Sequence, residues 1–356
     1  MNKADFEFLR ELAAMRPVTA DPEAVDRVQY RMKEFLDANG IFTTVEKVLD
    51  RHLVFASTDG AKTPDILFNA HLDVVPASDD AQYDIVERDG KIFGRGPADD
   101  LGNALCVAKT LIALKGKVSA GAIFTGNEEC GGSTTGGMVD LGYGAKKMVI
   151  VSDGNNGPER VVYAQKGIVT LKLTAHGKSG HSSAPWASDN AIEKLMAGYQ
   201  KFASTWENPR SIDDWRSSMA PCIVSGGKAV NQIPDEATLF VNFRVVTDDE
   251  FENLAGRVRE TTGLDVEFFR GCRPYSGNPE APEMRLLARV IHDLYGIETE
   301  FARMTGATDA RHLQRCGVPV AIIGCKGFGA HSVNEYLESD AVDRMLAVYT
   351  ELARRL

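Results

Sequence analysis

The sequence has little of what marks membrane, secreted or disulfide-rich proteins. Its longest apolar runs, such as residues 318–323, are far shorter than the roughly 18 to 20 residues of a membrane span. The first fifteen residues mix Asp5, Glu7 and Arg10 into a helical pattern without the basic and apolar regions of a signal peptide. The six cysteines are scattered and form no Cys-x-x-Cys pair. We therefore predict a cytoplasmic protein with reduced thiols and no membrane segment.

The sequence also has fewer basic than acidic residues. The chain carries 40 Lys and Arg against 50 Asp and Glu, which gives a formal net charge of −10. Nucleic-acid binding needs a basic face or stripe, and no such run occurs. The charge therefore argues against a nucleic-acid partner and leaves a small-molecule substrate.

The length of 356 residues exceeds the usual size of one hydrophobic core and predicts two domains. Short apolar strands alternate with helices up to residue 166 and again from residue 277, which favours an α/β fold with a mostly parallel sheet. Between them, alternating strands and two helices suggest an α+β sandwich. We predict a catalytic domain, residues 1–166 and 277–356, interrupted by an inserted lid domain, residues 167–276.

Polar side chains recur where predicted strands end. His71 follows the strand at 66–70, Glu128 and Glu129 follow the strand at 122–125, and Asp153 follows the strand at 147–151. Ligands of open α/β sheets bind beyond the carboxyl ends of the strands.

Asp73, Asp99 and His331 complete this set of polar residues. Two histidines with several carboxylates form a nitrogen and oxygen ligand set that suits zinc without a thiolate.

Each of these residues also has a plain structural explanation. His71 and Asp73 alone would be a satisfied surface pair, and two adjacent glutamates are usually solvated. Asp99 after a glycine-rich stretch is commonly a turn, and a histidine in a glycine loop usually has no role. Their joint recurrence at strand ends, in one β/α order, favours a metal site.

The motifs that carry a family resemblance are spread over almost the whole chain: His71-Leu-Asp73, Gly94-Arg-Gly-Pro-Ala-Asp-Asp100, Glu128-Glu129, Asp153, Gly180-His181, Asn231-Gln-Ile-Pro234, Phe243-Arg244 and His331. In these motifs the chain resembles the zinc-dependent peptidase and deacylase family of carboxypeptidase G, succinyl-diaminopimelate desuccinylase, acetylornithine deacetylase, aminoacylase and carnosine dipeptidase. That family has a zinc-exopeptidase-like catalytic domain and an inserted dimerisation domain.

The resemblance implies two Zn²⁺ per chain, with Co²⁺ and Mn²⁺ as alternatives. His71 and Asp153 would bind one metal, Glu129 and His331 the other, and Asp99 would bridge both. It also implies a cis peptide between Asp99 and Asp100.

Three residues would assist the reaction by the same resemblance. Glu128 would be the general base, and Asp73 would hydrogen-bond the far nitrogen of His71. His181 would reach across a homodimer formed by the lid domain and donate to the oxyanion of the neighbouring subunit. A histidine on the surface of a lid loop is the plain alternative for His181.

Three further residues are predicted to contact the substrate. Arg244 is suited to a bidentate pair with a substrate carboxylate, although an arginine on a surface strand is also common. Asn231 resembles the lid asparagine of the family, and Thr308 lies in a segment that resembles its substrate-contacting loop. Capping of the following helix explains Thr308 equally well. Leu101 departs from the family pattern, which has lysine there.

The predicted activity is hydrolysis of an amide bond in a small peptide or an N-acyl amino acid. Aspartate at position 153 is more typical of the family's peptidases than of its deacylases, and it favours peptides. The alternatives are an N-acyl amino acid deacylase, a lidless zinc aminopeptidase and a catalytically silent metal-binding relic. The inserted domain argues against the second alternative, and the presence of Glu128 and all five ligands argues against the third.

Overall fold

The chain folds as two compact units. The computed structural model describes every residue from Met1 to Leu356. Unit 1 comprises Met1–Tyr163, Ser276–Arg303 and Thr308–Leu356, and unit 2 comprises Ala164–Tyr275 and Met304–Ala307. The sequence of unit 2 therefore interrupts that of unit 1.

The helices are α1 (Lys3–Ala14), α2 (Pro22–Ala38), α3 (Gly102–Leu114), α4 (Ser133–Asp140), α5 (Ala191–Ala203), α6 (Asp248–Thr262), α7 (Pro282–Tyr295), α8 (Ala310–Leu313) and α9 (Ala341–Arg355). The strands are β1 (Phe42–Val48), β2 (Arg51–Ser57), β3 (Ile66–His71), β4 (Val86–Arg88), β5 (Lys91–Phe93), β6 (Ala120–Thr125), β7 (Met148–Val151), β8 (Arg160–Gln165), β9 (Gly167–His176), β10 (Gly180–His181), β11 (Ser218–Gly226), β12 (Gln232–Ile233), β13 (Glu236–Val245), β14 (Asp265–Cys272), β15 (Tyr275–Ser276), β16 (Glu300–Met304), β17 (Val320–Ile322), β18 (Gly327–Phe328) and β19 (Tyr336–Glu338). None of the helices combines the length and the apolar character that crossing a membrane requires.

A mixed sheet forms the centre of unit 1. Its strand order is β1-β2-β6-β3-β7-β17-β8-β15, and β16 also pairs with β8. The central strands β6, β3, β7 and β17 run parallel to one another. The pairs β1–β2, β2–β6 and β17–β8 are antiparallel. The predicted α/β fold with mostly parallel core strands is confirmed.

Both faces of the central parallel strands are covered. Every residue of β3, β6 and β7 is buried, as expected of short apolar strands in a parallel sheet. One hydrophobic cluster joins them to side chains from α1, α2, α3, α7 and α9. The parallel pairing brings the carboxyl ends of the three strands to one edge of the sheet.

Helix ends follow the signals in the sequence. Asp21 caps α2 by accepting from the backbone N–H of Ala24, and Pro22 occupies the first turn. α7 begins at Pro282 and ends at Gly296, whose φ of 65° is readily adopted by glycine.

Unit 2 has an antiparallel sheet of order β11-β13-β9-β14. Burial alternates along β13, and its inward side chains join those of α5 and α6 in a second hydrophobic cluster. β11 is an edge strand and is mostly exposed. Near it, the short strands β10 and β12 pair antiparallel.

Some element boundaries differ from the sequence prediction. β6 begins at Ala120, two residues before the predicted strand at 122–125, and β3 extends one residue beyond the predicted strand at 66–70 to include His71. The glycine-rich connection after β6 contains α4, which the sequence did not predict. Glycine at 137 is required there because a Cβ would overlap Val48 of β1.

Candidate metal centre

Three neighbouring strands deliver the predicted site residues. His71 is the last residue of β3 and pairs with Thr125, the last residue of β6. β3 also pairs in parallel with β7, which ends at Val151. Glu128 and Glu129 therefore follow β6, and Asp153 follows β7, at the same edge of the sheet.

Asp99 lies between two histidines. Its Oδ1 is 3.0 Å from Nε2 of His71, and its Oδ2 is 3.2 Å from Nε2 of His331. The peptide bond between Asp99 and Asp100 is cis. The two oxygens of one carboxylate thus face two different histidines, as those of a bridging ligand do.

Two groups of metal-ligating side chains share Asp99. His71, Asp99 and Asp153 form one group, and Asp99, Glu129 and His331 form the other, with the ligand atoms of each group within 4.8 Å of one another. In the second group, Nε2 of His331 lies 2.9 Å from Oε2 of Glu129. The structure therefore brings together all five residues predicted as metal ligands.

The donor set fits two divalent cations. Imidazole nitrogens and carboxylate oxygens without thiolate are ligands of Zn²⁺ and of similar first-row ions. Contact with Asp99 and Glu129 raises the pKa of His331 to about 10. Burial, reinforced by the charge of Glu128, raises the pKa of Asp153 well above its usual value. Neighbouring carboxylates contribute to both shifts, and bound cations would balance their negative charge.

Asp73 orients the ring of His71 mainly through its backbone carbonyl, whereas the prediction assigned this contact to its carboxylate. Its Nδ1 lies 2.8 Å from the backbone carbonyl of Asp73 and 3.5 Å from the carboxylate of the same residue. The shorter contact places the proton on Nδ1 and leaves Nε2 as the metal-binding nitrogen.

The carboxylate of Asp73 instead binds the glutamate turn. It accepts from the backbone N–H groups of Glu128, at 3.2 Å, and Glu129, at 3.4 Å, and from the hydroxyl of Thr19, at 2.8 Å. One buried carboxylate thus fixes the backbone of both glutamates.

The buried carboxylate of Asp100 supports the backbone of His71. Asp100 accepts from the backbone N–H of His71, at 2.9 Å, and from the amide of Asn103, at 2.7 Å. Asn103 in turn accepts from the backbone N–H of Cys325, at 2.6 Å. These bonds join the end of β3 to the segment that follows β17. The neighbouring Leu101 is fully buried, so the position where the family has lysine is filled here by an apolar contact.

Glu128 belongs to neither ligand group. Its side chain is 10 % exposed, and its Oε1 accepts from Nη2 of Arg311 at 3.3 Å. Burial, with the charge of Asp309, raises the pKa of Glu128 to about 8. Glu128 therefore pairs with an arginine and not with a histidine of the two ligand groups.

The loop that carries Asp99 is tied to the hairpin that carries His331. The buried Glu335 accepts from the backbone N–H groups of Gly96, Ala98 and Asp99, at 2.9, 3.1 and 3.2 Å, and pairs with the buried Arg95. Glu335 thereby connects the bridging ligand with the segment β18–β19.

The predicted residues of the inserted segment lie in unit 2. His181 is exposed at the end of β10, opposite Gln232 of β12, and the backbone of Ser182 donates to the carbonyl of Asn231 at 3.0 Å. Nδ1 of His181 accepts from the backbone N–H of Ser183 at 3.2 Å. Since Nδ1 is an acceptor, the proton of the neutral ring is on Nε2, which is therefore a donor.

Arg244 is half-buried near the end of β13, opposite Ser218 of β11 and Ile168 of β9. Burial lowers the pKa of Lys166, and the nearby charge of Arg244 acts in the same direction. Lys166 and Arg244 thus lie near each other.

Thr308 is 2 % exposed, in the turn before α8. Its hydroxyl accepts from the backbone N–H of Ala310 at 3.2 Å. These contacts agree with the alternative explanation of Thr308 as a residue that caps the start of a helix.

Three supporting residues of the site were not predicted: Arg311, Glu335 and Asn103. Arg311 lies three residues beyond Thr308, and Glu335 lies four residues beyond His331, so both are close to segments that the sequence had marked. Asn103 is in α3, whose other residues are mostly apolar and buried. No local pattern distinguishes any of the three from ordinary surface or core residues.

A family model described as Peptidase family M20/M25/M40 matches residues 67–355 of the chain. The chain belongs to this family. The predicted family resemblance is confirmed, and with it the predicted class of enzyme, a metal-dependent hydrolase of peptide and related amide bonds.

Relatives in the M20/M25/M40 family cover nearly the whole chain. The probable succinyl-diaminopimelate desuccinylase of Staphylococcus aureus (strain MRSA252) is 25% identical over 399 aligned residues, which cover 98% of this chain and 96% of that protein. The crystal structure of aminopeptidase PepT from Bacillus cereus ATCC 10987 has a TM-score of 0.81 at 16% identity and covers 98% of both chains. A tripeptidase from Staphylococcus aureus subsp. aureus Mu50 has a TM-score of 0.80 at 16% identity, again over 98% of both chains. At these identities, the structures show that the fold is shared.

Proposed function

We propose that the chain hydrolyses an amide bond of a small peptide with the help of two zinc ions. His71 and Asp153 would hold one ion, Glu129 and His331 would hold the other, and Asp99, which belongs to both ligand groups, would be shared between them. The observation that carries the proposal is the position of Asp99, whose two carboxylate oxygens face the two ligand groups separately.

The protein's own residues then divide the remaining work. When bound, a pair of zinc ions lowers the pKa of a water molecule and polarises the scissile carbonyl. Glu128 takes the proton of that water and returns it to the leaving nitrogen. A carboxylate bound to a metal would be a poor proton carrier, and Glu128 lies outside both ligand groups. Asp73 holds the backbone of Glu128 in place.

Unit 2 contributes substrate recognition in this proposal. Arg244 pairs with a carboxylate of the substrate, as its planar guanidinium allows, and Asn231 contributes a further contact. Thr308, which lies in unit 1, contributes another. The Nε2 proton of His181 is donated to the oxyanion formed at the neighbouring subunit of a homodimer. Zinc as the metal, the homodimer and the cytoplasmic location are predictions from the sequence.

A second candidate is a deacylase that acts on an N-acyl amino acid. The relative named as a probable succinyl-diaminopimelate desuccinylase aligns over 98% of this chain, which supports this candidate. Aspartate at position 153 favours peptides. Both substrates have an amide bond beside a carboxylate, so the same catalytic residues serve either.

Metal analysis followed by a substrate panel tests the proposal. The purified protein is expected to contain about two zinc ions per chain. Dipeptides, tripeptides, N-acetyl amino acids and N-succinyl amino acids are then assayed with Zn²⁺, Co²⁺ or Mn²⁺ restored. Cleavage of peptides alone supports the first candidate, and cleavage of N-acyl compounds alone supports the second. Two bound metals without hydrolysis of any compound would identify a silent metal-binding protein.

A further inference from the structure

Glu128 is held from two sides. Its backbone N–H donates to Asp73, whereas its carboxylate accepts from Arg311, whose side chain is only 3 % exposed. Only Oε1 of the carboxylate takes part in this contact, at 3.3 Å from Nη2. The other oxygen of Glu128 is therefore the one left for the reaction.

Arg311 is itself fixed to the strand that carries Glu128. Asp309, at the start of the turn before Arg311, accepts from the hydroxyl of Thr125 at 3.0 Å and from that of Thr135 at 2.6 Å. Thr125 is the last residue of β6, and Glu128 follows it by three positions. Asp309 thus bonds the segment that carries Arg311 to the end of β6, the strand that precedes Glu128.

The loop after Glu129 approaches Asp309 and Arg311 closely at Gly132. A Cβ at Gly132 would overlap Oδ1 of Asp309 and would lie 3.1 Å from Nη2 of Arg311. Glycine also tolerates the φ of 58° found at this position. The loop after Glu129 therefore closes tightly over the guanidinium.

We propose that Arg311 is the positioning residue of the general base. By holding Oε1 of Glu128 in a charge-assisted hydrogen bond, it directs Oε2 towards the reacting water and the leaving nitrogen. Arg311 does not touch the substrate in this inference and acts only through Glu128. The inference rests on the proposed role of Glu128 as the base.

The first test replaces the guanidinium. Arg311→Met removes the charge at similar length, and it is expected to lower kcat about 10²-fold, because a misplaced catalytic group costs about that much. KM and the content of two metals are expected to stay unchanged. Arg311→Lys restores a cation and is expected to recover at least about tenfold of that loss. Kinetics use the compound that the substrate panel identifies, with metal content measured on the same samples.

Arg315→Met is the matched control. Arg315 lies one turn further on, is 49 % exposed and pairs with Asp140. This variant is expected to retain the activity of the unchanged protein. Crystal structures of the two Met variants supply a measurement that does not depend on turnover. Only Arg311→Met is expected to show the Glu128 carboxylate turned away from its present position.

A double-mutant cycle separates positioning from general stabilisation of the site. Glu128→Asp shortens the base and should retain a low, measurable rate. If Arg311 acts through Glu128, Arg311→Met lowers that residual rate only a few-fold instead of about 10²-fold.

Three results would overturn the inference: an unchanged kcat in Arg311→Met, a loss of metal that accounts for its lower activity, or fully additive effects in the cycle. Failure of the proposed function would give a different result. Glu128→Ala would then retain activity, whether or not Arg311 is also replaced.

Discussion

Replacement of Glu335 by glutamine is expected to weaken metal binding without touching a ligand. The carboxylate of Glu335 accepts from the backbone N–H groups of Gly96, Ala98 and Asp99 and pairs with Arg95. Glutamine has nearly the same shape but offers one acceptor oxygen in place of two and carries no charge. Either the backbone donors or the guanidinium of Arg95 must lose its partner.

The expected loss of stability in Glu335→Gln follows from the burial of the Glu335–Arg95 pair. Glu335 and Arg95 are each 1 % exposed, so the guanidinium has no access to bulk water once its partner is neutral. Removing one member of a buried ion pair typically costs about 3–5 kcal/mol. Because the loop held by Glu335 presents Asp99, part of this loss appears as weaker metal binding. Residues that orient metal ligands typically contribute about 10- to 100-fold to metal affinity.

Competition with a chromogenic chelator measures the metal affinity of the Glu335→Gln protein. Urea unfolding of the metal-free protein measures its loss of stability. Glu338→Gln is the control, because Glu338 lies three residues beyond Glu335, at the end of β19, and its ion pair is a long contact of 4.0 Å to the partly exposed Lys326. A surface pair of this kind contributes about 0–1 kcal/mol. Metal affinity that is equal in the Glu335→Gln and Glu338→Gln proteins would refute the idea that Glu335 positions Asp99.

Three further predictions concern the proposed reaction. Glu128→Ala is expected to abolish turnover with about two metals still bound, whereas Glu129→Ala is expected to lose metal as well; metal loss in the Glu128 variant alone would mean that the two roles are reversed. Arg244→Ala should weaken the binding of substrates with a free carboxylate more than that of their amidated forms, and equal losses on both would remove Arg244 from the site. His181→Ala is expected to lower kcat about 10²- to 10³-fold with metal content unchanged. Mixed dimers of Glu128→Ala and His181→Ala subunits, confirmed by mass, should regain one complete site if His181 acts across subunits, and activity at background would exclude that role.

The central part of the fold was predictable because local pattern and burial agree there. The strands β3, β6 and β7 are short apolar runs that end in polar residues, and α2 and α7 begin at proline and end before glycine. Edge strands were harder to predict. β11 is exposed along most of its length, so its residues show no alternation of apolar and polar side chains.

The metal ligands could be predicted because each follows a recognisable strand or glycine-rich segment. Their supporting residues could not, since a single arginine or glutamate acquires its meaning only from a distant partner. Arg311 is 183 positions from Glu128, and Glu335 is 236 positions from Asp99. No spacing rule connects such pairs, and each member alone has the appearance of an ordinary charged residue.

The position of β17 in the sheet affects the order in which the parts of the protein can fold. β17 lies between β7 and β8, yet its residues follow the whole of unit 2 in the chain. During synthesis on the ribosome, β7 therefore emerges early with one edge unpaired and must wait until some 170 further residues have been added. His331 emerges later still, so only one of the two ligand groups can assemble before the last stretch of the chain leaves the ribosome. A nascent chain that stalls within unit 2 would expose an unpaired strand edge and an incomplete cluster of acidic ligands. Such a chain would be a substrate for chaperones.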